Sequence, residues 1–264
     1  MPSSSVQFCL SWSRYLSRPQ KLSLSFVALF IVGSSTAIPV RAYVTGGAPW
    51  PTDAPCVGSC SGQPRTIKYT IGNVTDGSIK MPDGNPLPNL LIKASIEEAL
   101  RTWTTAVNIN FVEVPDGPLT QLRFNHVYIN GPDPPPPADP IAKAQATCIG
   151  YGSGCEVQYD ESDRWQEVGT TPNPDILGAT IHEVGHIIGL NHTDIVGANM
   201  YWIFHRFSGL GTGQLFADDI AGIQSIYGAG IGSVTPMGVP EPATFLLIAA
   251  AMTCVLPTRR RRVR

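Results

Sequence analysis

Basic side chains are scarce in the body of this chain. Of its 18 Lys and Arg residues, four fall in residues 1–42 and five in 239–264, and one of its 20 acidic residues falls in 239–264. Residues 43–238 therefore carry nine bases against 19 acids, a net charge near −10. A segment this acidic is a poor partner for nucleic acid or anionic lipid, both of which are bound through positive charge. No internal repeat is present, and the body reads as one domain of about 180 residues, long enough to bury a core. Cysteine is sparse: Cys9 and Cys254 lie near the ends, leaving Cys56, Cys60, Cys148 and Cys155. Four cysteines allow three pairings, of which Cys56 with Cys60 and Cys148 with Cys155 is the preferred one in an oxidising compartment. Histidine is also rare, five in 264 residues, yet three of the five lie within eleven positions.

Those three belong to the run His182-Glu183-Val184-Gly185-His186-Ile187-Ile188-Gly189-Leu190-Asn191-His192. Residues four apart share one face of an α-helix, so His182 and His186 can turn a ring nitrogen towards one ion. Glu183, one step round, can reach the attacking water without occupying the metal, as a general base must. Gly189 accepts the left-handed conformation that ends a helix, which lets His192 approach from another side. Three imidazoles leave the fourth tetrahedral position of a zinc ion open, whereas a structural site is closed by a fourth protein ligand. At this chain's residue frequencies the five-position pattern arises by chance on the order of once in 10^5 chains. The bland alternative, histidines on a solvated helix face, conflicts with the apolar flanks Ile181, Val184, Ile187, Ile188 and Leu190, which describe a buried helix where unpaired imidazoles are costly.

The motif extended by Gly189 and His192 resembles that of the metzincin clan of zinc peptidases. Met200, eight residues beyond His192, stands where the matrixin branch has its Met-turn methionine, and Tyr201 follows it. Arg65 to Ile71 resembles the first matrixin strand, Ile96 to Val114 the first helix and second strand, and Leu215 to Gly228 the closing helix. The resemblance covers roughly residues 62 to 228. It implies an α+β fold: a twisted mixed β-sheet with about three helices, and a zinc cleft between a larger N-terminal and a smaller C-terminal subdomain. It further implies zinc on His182, His186 and His192, Glu183 as the catalytic base, Met200 as a floor beneath the ion, and Asp218-Asp219 as a pair tying the last helix to the N-terminus or the Met-turn. Matrixins often carry calcium as well, for which Asp160, Glu161 and Asp163 are candidates.

Departures from the pattern are informative. Thr193 replaces the usual Ser after the third histidine. Only His126 and His205 remain for the second, structural zinc of the animal enzymes, so that ion is not expected. Trp202, Ile203 and Phe204 follow Tyr201 where a proline is familiar, which leaves the main specificity pocket unassigned. Pro55-Cys56-Val57-Gly58 only partly echoes the Pro-Arg-Cys-Gly latch. A zinc-bound Cys56 or Cys60 thiolate is the rival to the disulfide reading.

The ends suggest an address. Residues 1–42 join Arg14, Arg18 and Lys21 to an apolar run from Leu22 to Val32 and small residues, a secretory signal for signal peptidase with cleavage after Ala42 or Ala37, the alternative being a retained anchor. Residues 43–61 form a short N-terminal segment and 229–238 a glycine-rich linker. Residues 239–264, with Val239-Pro240-Glu241-Pro242, an apolar run to Leu256 and five terminal arginines, resemble a PEP-CTERM sorting signal. That resemblance implies a bacterial exosortase-type processing enzyme, transient inner-membrane anchoring and delivery to the cell surface or matrix. The apolar run alone is short for a bilayer span of about 20 residues, and the arginines set its C-terminus in the cytoplasm.

Periodicity predicts strands at 65–71, 108–114 and 121–129, a helix over 90–107, and strands flanking Cys148 to Cys155. The six prolines of 132–140 predict a stiff exposed loop. In a matrixin-like arrangement the strand near Ala144 to Cys148 is the sheet edge above the zinc, where an extended polypeptide substrate adds as one more strand. The expected activity is peptide-bond hydrolysis. The alternatives are a zinc-bearing surface or matrix protein without turnover, an amidase for a cell-wall peptide, and a self-processing factor of the envelope.

Overall fold

A computed structural model describes residues 44–46, 49–132, 144–150, 153–169, 175–203 and 205–237. The expected signal peptide, the sorting signal, Phe204 and nearly all of the proline-rich loop lie outside the described residues.

Strand β1 is Val44–Thr45, β2 Arg65–Ile71, β3 Ile109–Glu113, β4 Leu122–Val127, β5 Ala144–Gly150, β6 Ser153–Asp160, β7 Leu190–Asn191 and β8 Ser233–Thr235. The helices are α1 Asn89–Thr104, α2 Ile176–Ile187 and α3 Ala217–Tyr227. Six strands form one mixed sheet in the order β5-β6-β4-β2-β3-β8, in which only β5 runs antiparallel to its neighbour. The period-two pattern of β2 puts Ile67 and Tyr69 in the core, and parallel pairing with β3 requires a crossover, which α1 supplies. Ile92, Ile96, Ala99, Leu100 and Trp103 form the buried stripe of α1, recurring at helical spacing. Trp103 donates its indole N–H to the Ile181 carbonyl at 2.9 Å, fixing α1 against α2. The helix expected over 90–107 stops at Thr104, and β3 begins at Ile109.

One expectation needs correcting. Part of the segment read as a flexible linker, Ser233–Thr235, pairs in parallel with β3 as the sixth strand. Gly232 makes this possible: it donates to the Thr104 carbonyl at 2.8 Å, and a side chain there would overlap the Ile109 main chain. Glycine richness here serves close backbone approach rather than mobility. Both short-range disulfides, Cys56–Cys60 and Cys148–Cys155, are present, so Cys56 and Cys60 offer no thiolate to a metal. Among the described residues no helix is long and apolar enough to cross a membrane.

Candidate metal centre

Helix α2 carries the first two histidines, as their spacing predicts. It starts at Asp175, whose buried carboxylate caps the helix by accepting the Gly178 N–H at 2.8 Å. Burial pushes this carboxyl up to about 6, against the opposing pull of the Gly178 N–H and the Arg206 charge. With the folded value above the ordinary 3.8, the group supports folding most at low pH and loses that contribution as pH rises through about 6. Asp175→Asn keeps the capping acceptor and removes the charge. Its urea midpoint should match the parent near pH 4 and exceed it at pH 8, by about 1–3 kcal/mol; a difference independent of pH would contradict this.

The helix ends at Ile187, and Gly189 takes φ +107°, the left-handed turn expected of it. The carbonyls left without helical partners are met from far along the chain. Ile187 accepts the Trp50 indole N–H at 2.9 Å, Ile188 the Tyr227 hydroxyl at 2.8 Å, and Gly189 the Gly46 N–H at 2.8 Å. Strand β1 then pairs antiparallel with β7, the two residues immediately before His192. The third histidine is thus aimed by the N-terminal segment and α3, neither of which the local motif reveals.

The three rings converge. His182 Nε2 lies 3.1 Å from His192 Nε2 and 3.2 Å from His186 Nε2. Nitrogens on a tetrahedral zinc, at about 2.0–2.1 Å from the ion, stand about 3.4 Å apart, so the spacing fits. The tautomers fit too. His182 Nδ1–H donates to the Asn199 carbonyl at 2.7 Å and His186 Nδ1–H to the Leu190 carbonyl at 2.8 Å, which leaves both Nε2 atoms as bare lone pairs facing each other. Facing lone pairs repel unless they share a cation. Burial holds His182 down to about 3, with His186 adding to the effect, and burial also lowers His186, so these ligands stay neutral. Among the described residues this is the one cluster of three His, Cys, Asp or Glu groups that could hold a metal.

Glu183 is nearly buried, 6% exposed. Burial pushes its carboxyl up to about 7, opposed by a hydrogen bond from the Ala146 N–H of β5. The general-base candidate therefore sits between the ligand helix and the sheet edge. Two of the three candidate calcium carboxylates also have protein partners: Asp160 accepts from the Asn130 and Ser162 main chains, and Glu161 meets His126 Nδ1 at 2.5 Å. The other His126 nitrogen meets Asp76 at 3.0 Å, which holds the Asp76 carboxyl at about 2.

Met200 is buried, as expected of a Met-turn. The residue that makes room for it is Gly185, which the motif spacing did not single out: a Cβ there would overlap Met200 Sδ and stand 2.9 Å from Trp103 Cζ2. Gly185→Ala should cost about 1–3 kcal/mol by overpacking, and measurably less in a Met200→Ala background, where the obstructing sulfur is gone. Equal losses in both backgrounds, by chemical denaturation, would show that the two do not touch. Asp219 takes four N–H groups, from the main chains of Asn199, Met200 and Phe216 and from the Asn199 side chain. Helix α3 is thereby tied to the Met-turn, and through the Asn199 carbonyl to His182. Among the described residues this tie to the Met-turn is made by Asp219 of the Asp218-Asp219 pair. Trp202 and Ile203 stand exposed beyond the turn, 55% and 42% respectively.

Sequence comparison agrees with this geometry. The chain is 33% identical to interstitial collagenase of Oryctolagus cuniculus over 67% of its own length and 35% of the relative's. It is 29% identical to stromelysin-1 of Mus musculus, over 73% of this chain and 39% of that protein. Matrilysin of Mus musculus matches at 30% identity, over 62% of this chain and 58% of the relative. The chain thus spans well under half the length of the first two relatives. The matrixin family model matches residues 65–228, with all three histidines, Glu183 and Met200 inside the match, and the chain belongs to the matrixin family.

Proposed function

We propose that this protein is an exported, surface-sorted zinc endopeptidase. The observation that carries the reading is the convergence of three imidazole Nε2 atoms beside a buried, hydrogen-bonded carboxylate. A zinc ion held by His182, His186 and His192 would polarise a peptide carbonyl and acidify a water. Glu183 accepts the proton of the attacking water and delivers it to the leaving amine. A carboxyl raised by burial suits this role, since it is a stronger base than an ordinary carboxylate and, at about 7, can both take and return a proton near neutral pH. Ala146 orients the Glu183 carboxylate through its N–H, and Met200 closes the site from below. The position of β5 at the end of the sheet, with β6 as its only strand neighbour among the described residues, favours extended, unfolded polypeptide as substrate.

Export rests on residues 1–42 and surface sorting on residues 239–264, read as a signal peptide and a PEP-CTERM-like tail processed by signal peptidase and an exosortase-type enzyme. Calcium binding near Asp160, Glu161 and Asp163 stays a proposal. Retention of Glu183 weighs against a zinc-bearing protein without turnover.

The test is digestion of a denatured protein mixture by the full-length chain. Cleavage abolished by a chelator and restored by zinc is the expected result. A zinc-loaded chain that leaves polypeptide intact while releasing cell-wall amide products would replace this reading with the amidase one.

A further inference from the structure

Strand β5 is an edge strand with β6 as its sheet neighbour, and its main chain has a definite phase. Cys155 of β6 donates its N–H to the Gln121 carbonyl at 2.9 Å, next to β4. The main chain at Cys155 therefore faces β4 and not β5. In an antiparallel ladder, residues directly opposite either exchange both main-chain bonds or exchange neither. Cys148, opposite Cys155, therefore exchanges none with it, and their Cα separation of 4.0 Å is the close spacing of such a pair. The N–H and C=O of Cys148 point to the open edge. Ala146, two residues back, shares this phase, and its N–H meets the Glu183 carboxylate. A peptide at this edge would find main-chain partners on Ala144 and Cys148 and the carbonyl of Ala146 between them, with successive positions about 6.8 Å apart.

Beyond Cys148, β5 pairs only with β6 among the described residues, as far as Gly150 opposite Ser153, because β4 begins level with Cys155, where Leu122 pairs with it. The Cys148–Cys155 pair contributes no main-chain bonds of its own. The disulfide adds a covalent tie between the two strands there, beside the main-chain pairing of Thr147 with Glu156.

We propose that the Cys148–Cys155 bridge is a substrate-positioning device that keeps the Cys148 main chain in line with the edge, so that cleavage favours peptides long enough to reach it. Antiparallel addition is the better-bonded pairing, and in it Cys148 serves residues on the N-terminal side of the one opposite Ala146. The device rests on the peptidase reading above. It also makes the preference sensitive to reduction. A phosphine and one water convert the bridge to two thiols and the phosphine oxide, and the tip of β5 is then released from β6.

The test compares two peptides sharing one cleavage site, the first spanning the whole edge and the second truncated on its N-terminal side. The zinc-loaded full-length chain should prefer the long peptide. In Cys148→Ser/Cys155→Ala that preference should fall roughly tenfold, carried by KM rather than kcat, as expected when about two edge hydrogen bonds lose their alignment. Cys56→Ser/Cys60→Ser should keep the full preference. Should the first double variant fold poorly, phosphine treatment of folded Cys56→Ser/Cys60→Ser reduces the same single bridge and should give the same loss. An unchanged preference after removal or reduction of the bridge, or equal cleavage of both peptides by the parent, overturns the proposal and leaves the peptidase reading standing. Cleavage of neither peptide by the parent removes both.

Discussion

Replacing Glu183 by alanine should lower kcat/KM by about 10^2–10^4-fold, the usual worth of a positioned general base, while one zinc per chain stays bound. In the proposed mechanism the carboxylate moves a proton and does not hold the ion: the three converging nitrogens are all imidazole, and a hydrogen-bond donor to the carboxylate is the Ala146 N–H. Truncation removes a group whose burial already disfavours its charged form, so the fold should not suffer. Glu183→Gln, which keeps the shape but cannot take a proton, should be equally inactive. Turnover within tenfold of the parent, with zinc content measured on the same samples, would remove Glu183 from the chemistry.

Replacing His192 by alanine should act on the metal itself. An outer partner of a metal ligand is worth about 10–100-fold in affinity, and loss of one ligand of three should exceed that. His192 is exposed, so the metal-free variant should keep the parent's stability within about 0.5 kcal/mol, as surface changes do. His182→Ala makes the useful contrast. His182 is buried and donates to the Asn199 carbonyl, so its loss should weaken zinc binding and also lower metal-free stability, by about 1–3 kcal/mol for the orphaned acceptor. Competition with a chelating dye, beside urea denaturation of the metal-free proteins, separates the two effects. Retained affinity in His192→Ala would mean that another group completes the site.

Most of the centre could be read from local spacing. The i, i+4 histidines, the glycine that turns the chain, the strand alternation of 65–71 and the helical stripe of α1 are all short-range patterns governed by backbone geometry. What escaped the sequence is non-local. Nothing near Ile187, Ile188 or Gly189 indicates that Trp50, Tyr227 and Gly46 satisfy their carbonyls, because Trp50 and Tyr227 lie 137 and 39 residues away from theirs and Gly46 contributes only main chain. The need for glycine at Gly185 comes from Met200 and Trp103, which pack over it from 15 and 82 residues away in the sequence. Strand β8 was mistaken for linker because three residues are too few to show a period, and the glycines around it suggest freedom where the packing demands closeness.

The central claim, that three imidazoles hold a zinc ion with one position left open to water, is tested most directly by X-ray absorption at the zinc edge on the purified full-length protein. The account predicts one zinc per chain with three nitrogen neighbours and one exchangeable oxygen at about 2.0–2.1 Å. A fourth protein ligand, a sulfur neighbour, or a chain that binds no zinc would contradict it.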